Sequence, residues 1–209
     1  MAALLSSRLP SRLWRSLLAV FAATALAGCG VNTVPTAEEN AKAKWADVQA
    51  AFQERANLIP NLAEVVKASG EQERAILTGV MEARAKATSP QVQISAEDLD
   101  DPQKVAAYQA AQNQLSASLG GLGRLLANVE AYPELKSIGN YTTLMSQLEG
   151  QENRIRVAIR DYNGAVQQYN TTVRTFPAVI AAKVIYGAKP MVPYQAVTPG
   201  AEVAPKIDL

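Results

Sequence analysis

The chain contains 209 residues, with 20 basic and 19 acidic side chains, one cysteine and no histidine. The missing histidine excludes histidine bases and histidine metal ligands, and a single cysteine excludes an internal disulfide. Carboxylates, tyrosines and lysines remain for acid–base chemistry, but no nucleophile or metal cluster accompanies them, so we expect no catalytic residue, no metal and no cofactor. The near-neutral charge gives no reason to expect a nucleic acid partner or strong binding to anionic lipid.

Residues 1–28 predict a signal peptide. Three arginines precede an apolar run, Leu17–Leu26, that is far shorter than the roughly 20 residues of a membrane-spanning helix. The sequence LAGC, Leu26–Cys29, resembles the lipobox of bacterial lipoproteins, in which the cysteine is acylated and the chain is cut before it. We therefore expect lipidation at Cys29 and a stable membrane anchor. An ordinary secreted protein with a stray cysteine is the alternative. Cleavage would remove three basic residues and no acidic one, for a net charge of −2.

Residues 29–36 are expected to form a tether, and the first helix is expected to begin at about Ala37. Thr36 and Glu39 have the spacing of a capping box, in which each side chain accepts a backbone hydrogen bond at the start of a helix. The predicted helical bundle extends from this point to residue 186.

Apolar residues then recur at helical spacing from Trp45 to Val80. Pro60 interrupts this pattern, because proline removes a backbone donor and crowds the preceding turn. The unbroken phase on both sides favours one long kinked helix. A break into two helices stays open, because Asn57 could cap a second helix that has Pro60 in its first turn.

The acidic segment Gln91–Asp101 has no helical periodicity, and we interpret it as a solvated connector. A calcium loop is the alternative, but the glycine and final glutamate of an EF-hand are missing. Asp101 and Pro102 are then predicted to cap and open a second long helix, which ends near Pro133. Glycines in the sequence GGLGR, Gly120–Arg124, are expected to let a neighbouring helix approach closely.

The last long helix is predicted over Ile138–Thr175. Its inward positions follow a heptad pattern. We call two sets of residues the heptad stripe: Tyr141, Leu148, Ile155, Tyr162, Tyr169 and Phe176, with Met145, Glu152, Ile159, Val166, Val173 and Ile180 four positions later. A short apolar helix to about Tyr186 should follow, and residues 187–209 are expected to form a proline-rich irregular tail.

Three charged residues occupy inward positions of the predicted helices: Arg55, Glu73 and Glu152. A buried charge is costly unless it is paired, so we predict that Arg55 and Glu152 face each other or share a polar network. The network would set helix register or, alternatively, form a catalytic site.

Two asparagines directly follow inward tyrosines: Asn163 follows Tyr162, and Asn170 follows Tyr169. Their amides would bond to a neighbouring helix or stay in water, and a ligand site is the functional alternative. The two tyrosines are expected in the core, with an exposed recognition surface as the alternative.

Several stretches in order resemble the LemA family of bacterial envelope proteins over about residues 37–190. They are RANLIPNL (Arg55–Leu62), EARAKA (Glu82–Ala87), YPELKS (Tyr132–Ser137), LEGQENRI (Leu148–Ile155) and YNGAVQQYNTTVRTFP (Tyr162–Pro177). The resemblance implies an antiparallel bundle of long helices displayed from an N-terminal membrane segment, with no established catalytic activity. Here a lipobox replaces that segment, and Tyr194 stands where a phenylalanine is usual.

The sequence therefore predicts an all-α, antiparallel up-and-down bundle of three long helices, or four if Pro60 breaks the first. We expect a lipid-anchored, periplasm-facing scaffold or interaction module with an envelope protein partner. Gly30 after the cysteine fits the outer membrane better than the inner one. A small-ligand binder or enzyme with a polar pocket around Arg55 and Glu152 is the alternative function.

Overall fold

The computed structural model describes residues 31–66, 71–127 and 141–195; the side chains of residues 65, 66, 71–73, 125–127, 141 and 142 lie outside this description. Its α-helices are α1 (Thr33–Val66), α2 (Glu71–Ala87), α3 (Pro102–Ala127), α4 (Tyr141–Thr172) and α5 (Ala178–Ala181). A 3₁₀ helix spans Ala96–Asp100, and a π-helical turn spans Ala182–Tyr186. These ranges contain no β-strand, which confirms the predicted all-α bundle. None of the described helices combines the length and the hydropathy of a membrane span.

Helix α1 begins earlier than predicted. Thr36 donates both its backbone N–H and its hydroxyl to the carbonyl of Asn32, at 3.3 and 2.7 Å, so it lies within the helical hydrogen-bond pattern. The predicted capping box at Thr36 is therefore wrong, and the last residues of the expected tether are helical. Pro35 fits the first turn, where a missing N–H leaves no intrahelical bond unmade.

Pro60 neither ends α1 nor reverses the chain, because α1 continues to Val66. The Arg84 Nε atom donates to the carbonyl of Ala56 at 2.7 Å, across 28 residues of sequence. One straight helix would separate those residues by about 42 Å. Helix α2 is therefore antiparallel to α1, and the predicted single kinked helix is wrong. Helix α1 ends at Val66 and α2 begins at Glu71, so the first helix ends after Pro60 and not at the position considered for a break.

Four helices contribute to the core of the bundle. Eleven buried apolar residues from α1, α2 and α3 form one cluster, and three half-buried residues of α4 pack against it. They include Ile59, Leu62, Leu77, Val80, Leu115, Leu122, Leu144, Met145 and Leu148. Ile59 and Leu62 lie on either side of Pro60, and both pack in this cluster. The helix is therefore held in the core before and after the proline.

The connector between α2 and α3 is only partly solvated. Ile94 and Leu99 are buried, and the backbone N–H of Val192 donates to the Leu99 carbonyl at 2.9 Å. The predicted solvated connector is therefore wrong for these two apolar side chains, which are buried. Asp101 caps α3 as predicted, accepting the backbone N–H of Gln103 at 2.9 Å.

The three glycines of the GGLGR sequence do not mark a close helix approach. A Cβ atom added to Gly120, Gly121 or Gly123 would meet no described atom within 4 Å. The expected close contact at these glycines is therefore wrong for the part of the bundle that the structure describes.

The heptad stripe is buried or half-buried along the described part of α4 and is exposed at two positions beyond the end of the helix. Ile155, Tyr162 and Tyr169 are buried as predicted, whereas Phe176 is 75% exposed and Ile180 is 57% exposed. Because α4 ends at Thr172, the heptad phase does not continue into these last two positions. The side chain of Tyr141 lies outside the described residues.

Residue contacts divide the chain into two compact units. The larger unit comprises Asn40–Gln167 and the residues from Met191 onward; the smaller comprises the residues up to Glu39 together with Gln168–Pro190. In the smaller unit, the Phe176-Pro177 peptide bond is cis and Gly187 ends the π-helical turn with a left-handed φ of 57°. This φ is one that glycine adopts readily. The short helix predicted to extend to about Tyr186 is present.

Candidate functional site

A polar cluster lies inside the larger unit. It consists of Arg55 from α1, Gln112 and Ser116 from α3, and Glu152 from α4. The Arg55 Nη1 atom donates to Ser116 Oγ at 2.6 Å and to Glu152 Oε1 at 3.0 Å, while Nη2 donates to Gln112 Oε1 at 3.0 Å. The predicted pairing of Arg55 with Glu152 is confirmed, and two further partners complete a network of three helices.

The cluster leads from the core to the surface. The Arg55 side chain is fully buried, whereas that of Glu152 is 43% exposed. A guanidinium keeps its charge when it is buried, so its burial is costly unless it is paired and hydrogen-bonded, and here a partly solvated carboxylate provides the pairing. The Arg55 guanidinium also lies 5.0 Å from the centre of the Phe52 ring, a cation–π distance.

Two tyrosines near Arg55 stay neutral at physiological pH. Burial raises the pKa of Tyr108 and of Tyr194 well above the ordinary tyrosine value, and the charge of Arg55 opposes the shift only in part. Neither phenol therefore supplies a base near pH 7.

Aromatic rings pack beside the polar cluster. Trp45 contacts the rings of Tyr108 and Tyr162, with centroid distances of 5.2 and 5.1 Å. Phe52 contacts Tyr108 and Tyr194 at 5.9 and 5.8 Å. Tyr162 is thus a core residue, as predicted, because its ring fills the space between helices.

The predicted tail begins with a segment that docks into the bundle. Asn163 Nδ2 donates to the Tyr194 carbonyl and the Tyr194 N–H donates to Asn163 Oδ1, both at 2.8 Å. The Tyr162 hydroxyl donates to the Val192 carbonyl at 2.8 Å. Residues 188–195 are irregular as expected, yet Met191 and Tyr194 are buried. The Asn163 amide therefore bonds to this irregular segment and not, as expected, to a neighbouring helix.

The remaining predicted residues lie elsewhere. Tyr169 is buried and Asn170 is half-buried, and both belong to the smaller unit. The side chain of Glu73 and all of Cys29 lie outside the described residues. Three members of the site were not predicted from the sequence: Gln112, Ser116 and Tyr194.

A surface groove of about 360 Å³ lies beside the polar cluster, between α1 and α4. We call it the α1–α4 groove; Asp47, Ala50, Ala51, Glu54, Asn153, Arg154, Val157, Ala158 and Asp161 line it. Three alanines give it shallow walls, and Val157 is 39% exposed there. The sequence pattern gave no indication of this groove.

The carboxylates of the α1–α4 groove are compensated by neighbouring cations. Glu54 Oε2 lies 3.1 Å from Arg154 Nη1, and Asp47 Oδ2 lies 3.1 Å from Lys44 Nζ. Asp161 lies 3.4 Å from Arg160. The groove therefore carries little net charge, which suits an apolar or mixed partner surface better than a strongly basic one. Within the described ranges, no three or more acidic, cysteine or histidine side chains lie together in a way that could hold a metal ion.

Comparisons with known proteins find a matching family model and several relatives. The model of the LemA family matches residues 44–209. Magnetosome proteins MamQ 2 and MamQ 1 of Paramagnetospirillum magneticum are each 27% identical over 176 residues, which is 78% of this chain and 64% of each relative. Magnetosome protein MamQ of Magnetospirillum gryphiswaldense is 27% identical over 157 residues, 70% of this chain and 58% of the relative. The chain spans less than two thirds of the length of these relatives.

Proposed function

Because the chain belongs to the LemA family, we propose that it is a lipid-anchored, periplasm-facing interaction module of the bacterial cell envelope, without catalytic activity. Cys29 is the proposed anchor, and the outer membrane is the proposed location. The bundle presents a helix surface to an envelope protein. The observation that carries this proposal is that both terminal nitrogens of Arg55 are already hydrogen-bonded to other side chains of the bundle.

The polar cluster suits a structural role better than a catalytic one. Both terminal nitrogens of Arg55 already donate to side chains of α3 or α4. Those bonds fix the register of three helices, which is the best-attested use of a buried polar group. Glu152 is the one carboxylate of this cluster; its side chain reaches solvent and is already bonded to Arg55. A lone paired carboxylate gives little basis for acid–base chemistry.

The α1–α4 groove is the proposed docking face. Its alanine walls allow the backbone or small side chains of a partner to come close to α1 and α4. The exposed Val157 offers apolar contact, and the compensated carboxylates would form a polar rim. A partner helix with a small, mainly apolar face fits this surface.

The proposal is tested by crosslinking and pull-down from membranes with the acylated protein. Ala158→Phe fills the α1–α4 groove, and Ala117→Phe on an exposed position of α3 is the matched control. We expect the same envelope partner with the unaltered protein and the control, and several-fold less with Ala158→Phe. A Cys29→Ser variant should leave the membrane fraction. Equal recovery with all variants would contradict the proposed docking face.

A small-ligand binder or enzyme around Arg55 and Glu152 is the second candidate. It is favoured by the Arg55 Nε atom, which is buried without a hydrogen-bond partner in the described structure, and by the solvent access that Glu152 provides. Native mass spectrometry of protein purified from membranes separates the two functions. A bound small molecule that disappears in Arg55→Met would support the ligand site and displace the scaffold proposal.

A further inference from the structure

The segment Phe176–Tyr186 exposes its large side chains and buries its small ones. Ala178, Ala181 and Ala182 are buried, whereas Val184 is 79% exposed. We call the exposed set the apolar patch; its members are Phe176, Ile180, Val184, Ile185 and Tyr186.

This arrangement is the reverse of what folding in water alone favours. Burying a valine or isoleucine side chain is worth roughly 1.5–3 kcal/mol, far more than burying the methyl group of alanine. Single exposed apolar side chains are ordinary, but five within eleven consecutive positions, four of them more than half exposed, mark an interaction surface. These side chains would be removed from water if the surface lay against an apolar environment outside the protein.

The charge of this part of the chain is one-sided. No acidic residue occurs between Asp161 and Glu202, whereas Arg174, Lys183 and Lys189 do. The whole chain is near neutral, so the basic character is local. Apolar side chains flanked by lysine and arginine are typical of surfaces that lie in a membrane interface with anionic lipid.

The apolar patch shares a compact unit with the start of α1. That unit contains the residues up to Glu39 as well as Gln168–Pro190. Helix α1 begins at Thr33, four residues after Cys29, and four extended residues reach at most about 14 Å. A membrane anchor at Cys29 would therefore hold the start of this unit close to the lipid surface.

We propose that the apolar patch inserts into the interfacial region of the membrane that carries the protein, with Arg174 and Lys183 among the lipid headgroups. This inference rests on the proposed function, because the lipid anchor at Cys29 is what would bring the apolar patch to the membrane surface. A second copy of the chain fits the patch less well, because a two-fold contact would bring the same basic residues of both copies together without an acidic residue from this segment between them.

The test places an environment-sensitive fluorophore on single cysteines of the acylated protein in phosphatidylethanolamine–phosphatidylglycerol vesicles. Val184→Cys reports on the patch, and Val157→Cys, another exposed valine, is the matched control. We expect nitroxide headgroup lipids to quench the label at 184 several-fold more than the label at 157, with a blue-shifted emission. Equal, weak quenching at both positions would overturn the inference. A blue shift that needs no lipid and grows with protein concentration would also overturn it, in favour of self-association.

The lipid anchor is tested separately on the same samples, by the mass of the Cys29 peptide. Acylated Cys29 with an unquenched label at 184 would overturn the membrane-inserted patch and leave the anchor intact. An unmodified Cys29 would contradict the lipid anchor. In that case Cys29 is replaced by serine, so that the label again occupies a single cysteine, and the same vesicles are added to the labelled protein. Quenching at 184 alone would then support the inference, and its absence would overturn it. Circular dichroism verifies that both variants remain helical.

Discussion

The Nη1 atom of Arg55 lies 3.0 Å from Oε1 of Glu152, although 97 residues separate the two in sequence. The contact joins α1 to α4, and the same guanidinium reaches Gln112 and Ser116 on α3. One buried side chain thus sets the relative heights of three helices in the larger unit. Arg55 is fully buried and Glu152 is partly exposed, so the two residues should contribute differently to the stability of the fold.

Replacing Arg55 should destabilise the protein more than replacing Glu152. Arg55→Ala removes a large buried side chain and leaves polar partners unsatisfied, so we expect a loss of about 3–5 kcal/mol in the free energy of unfolding. Glu152→Gln keeps a hydrogen-bond acceptor at a half-exposed position, so about 1–2 kcal/mol is expected. Urea denaturation measures both values. The exposed pair Glu54–Arg154 is the control, since Glu54→Gln should cost below about 1 kcal/mol. A larger loss from Glu152→Gln than from Arg55→Ala would contradict this account.

Tyr162 should contribute mainly through its ring. The ring packs on Trp45, and the hydroxyl donates one hydrogen bond to the Val192 carbonyl. We expect Tyr162→Ala to cost about 3–5 kcal/mol and Tyr162→Phe about 0.5–1.5 kcal/mol of unfolding free energy. Thermal and urea unfolding of both variants provide the test. An unchanged melting temperature for Tyr162→Ala would show that this position is not part of the core.

Asn163 should control the docking of residues 191–194. Asn163→Asp keeps the acceptor for the Tyr194 N–H but loses the donor to the Tyr194 carbonyl, and a carboxylate beside that carbonyl is repulsive. We expect at least tenfold faster amide hydrogen exchange at Tyr194, equivalent to about 1.4 kcal/mol of local stability, with little change at Leu115 in the core. Unaltered exchange at Tyr194 would mean that aromatic packing alone holds the segment.

Alkaline pH should destabilise the fold through its buried tyrosines. Burial raises the pKa of Tyr108, Tyr162 and Tyr194, whereas in the unfolded chain a tyrosine titrates near about 10. Below pH 10 both states are protonated and the pH has no effect through these groups. As the pH rises further, the unfolded chain loses protons that the folded chain retains, so stability falls by about 1.4 kcal/mol per pH unit for each tyrosine.

The alkaline effect is measured by urea unfolding on both sides of pH 10 and by the ultraviolet absorbance of tyrosinate. Tyr108→Phe removes one titrating group and should make the decline shallower. Tyrosinate absorbance that reaches its full value before the helical signal is lost would contradict a raised pKa at these positions.

Local sequence determined much of the helical framework. The heptad stripe predicted the burial of Ile155, Tyr162 and Tyr169, and the pair Asp101-Pro102 predicted the start of α3. Helical periodicity and capping depend on residues within a turn or two of one another, so they can be read without knowing the fold. The pairing of Arg55 with Glu152 could be inferred as well, because a buried charge on one helix needs a partner on another.

Tertiary packing decided where the chain turns and which apolar residues are buried. The same in-phase pattern around Pro60 serves one long helix or two antiparallel helices, and the contact of Arg84 with Ala56 selects the second. The exposure of Phe176 follows from where α4 ends, and Tyr194 lies against α4 with its backbone hydrogen-bonded to the Asn163 amide. Each of these outcomes arises from contacts between residues far apart in sequence. The free energy that such a contact contributes depends on which helices pack together, and local periodicity does not reveal it.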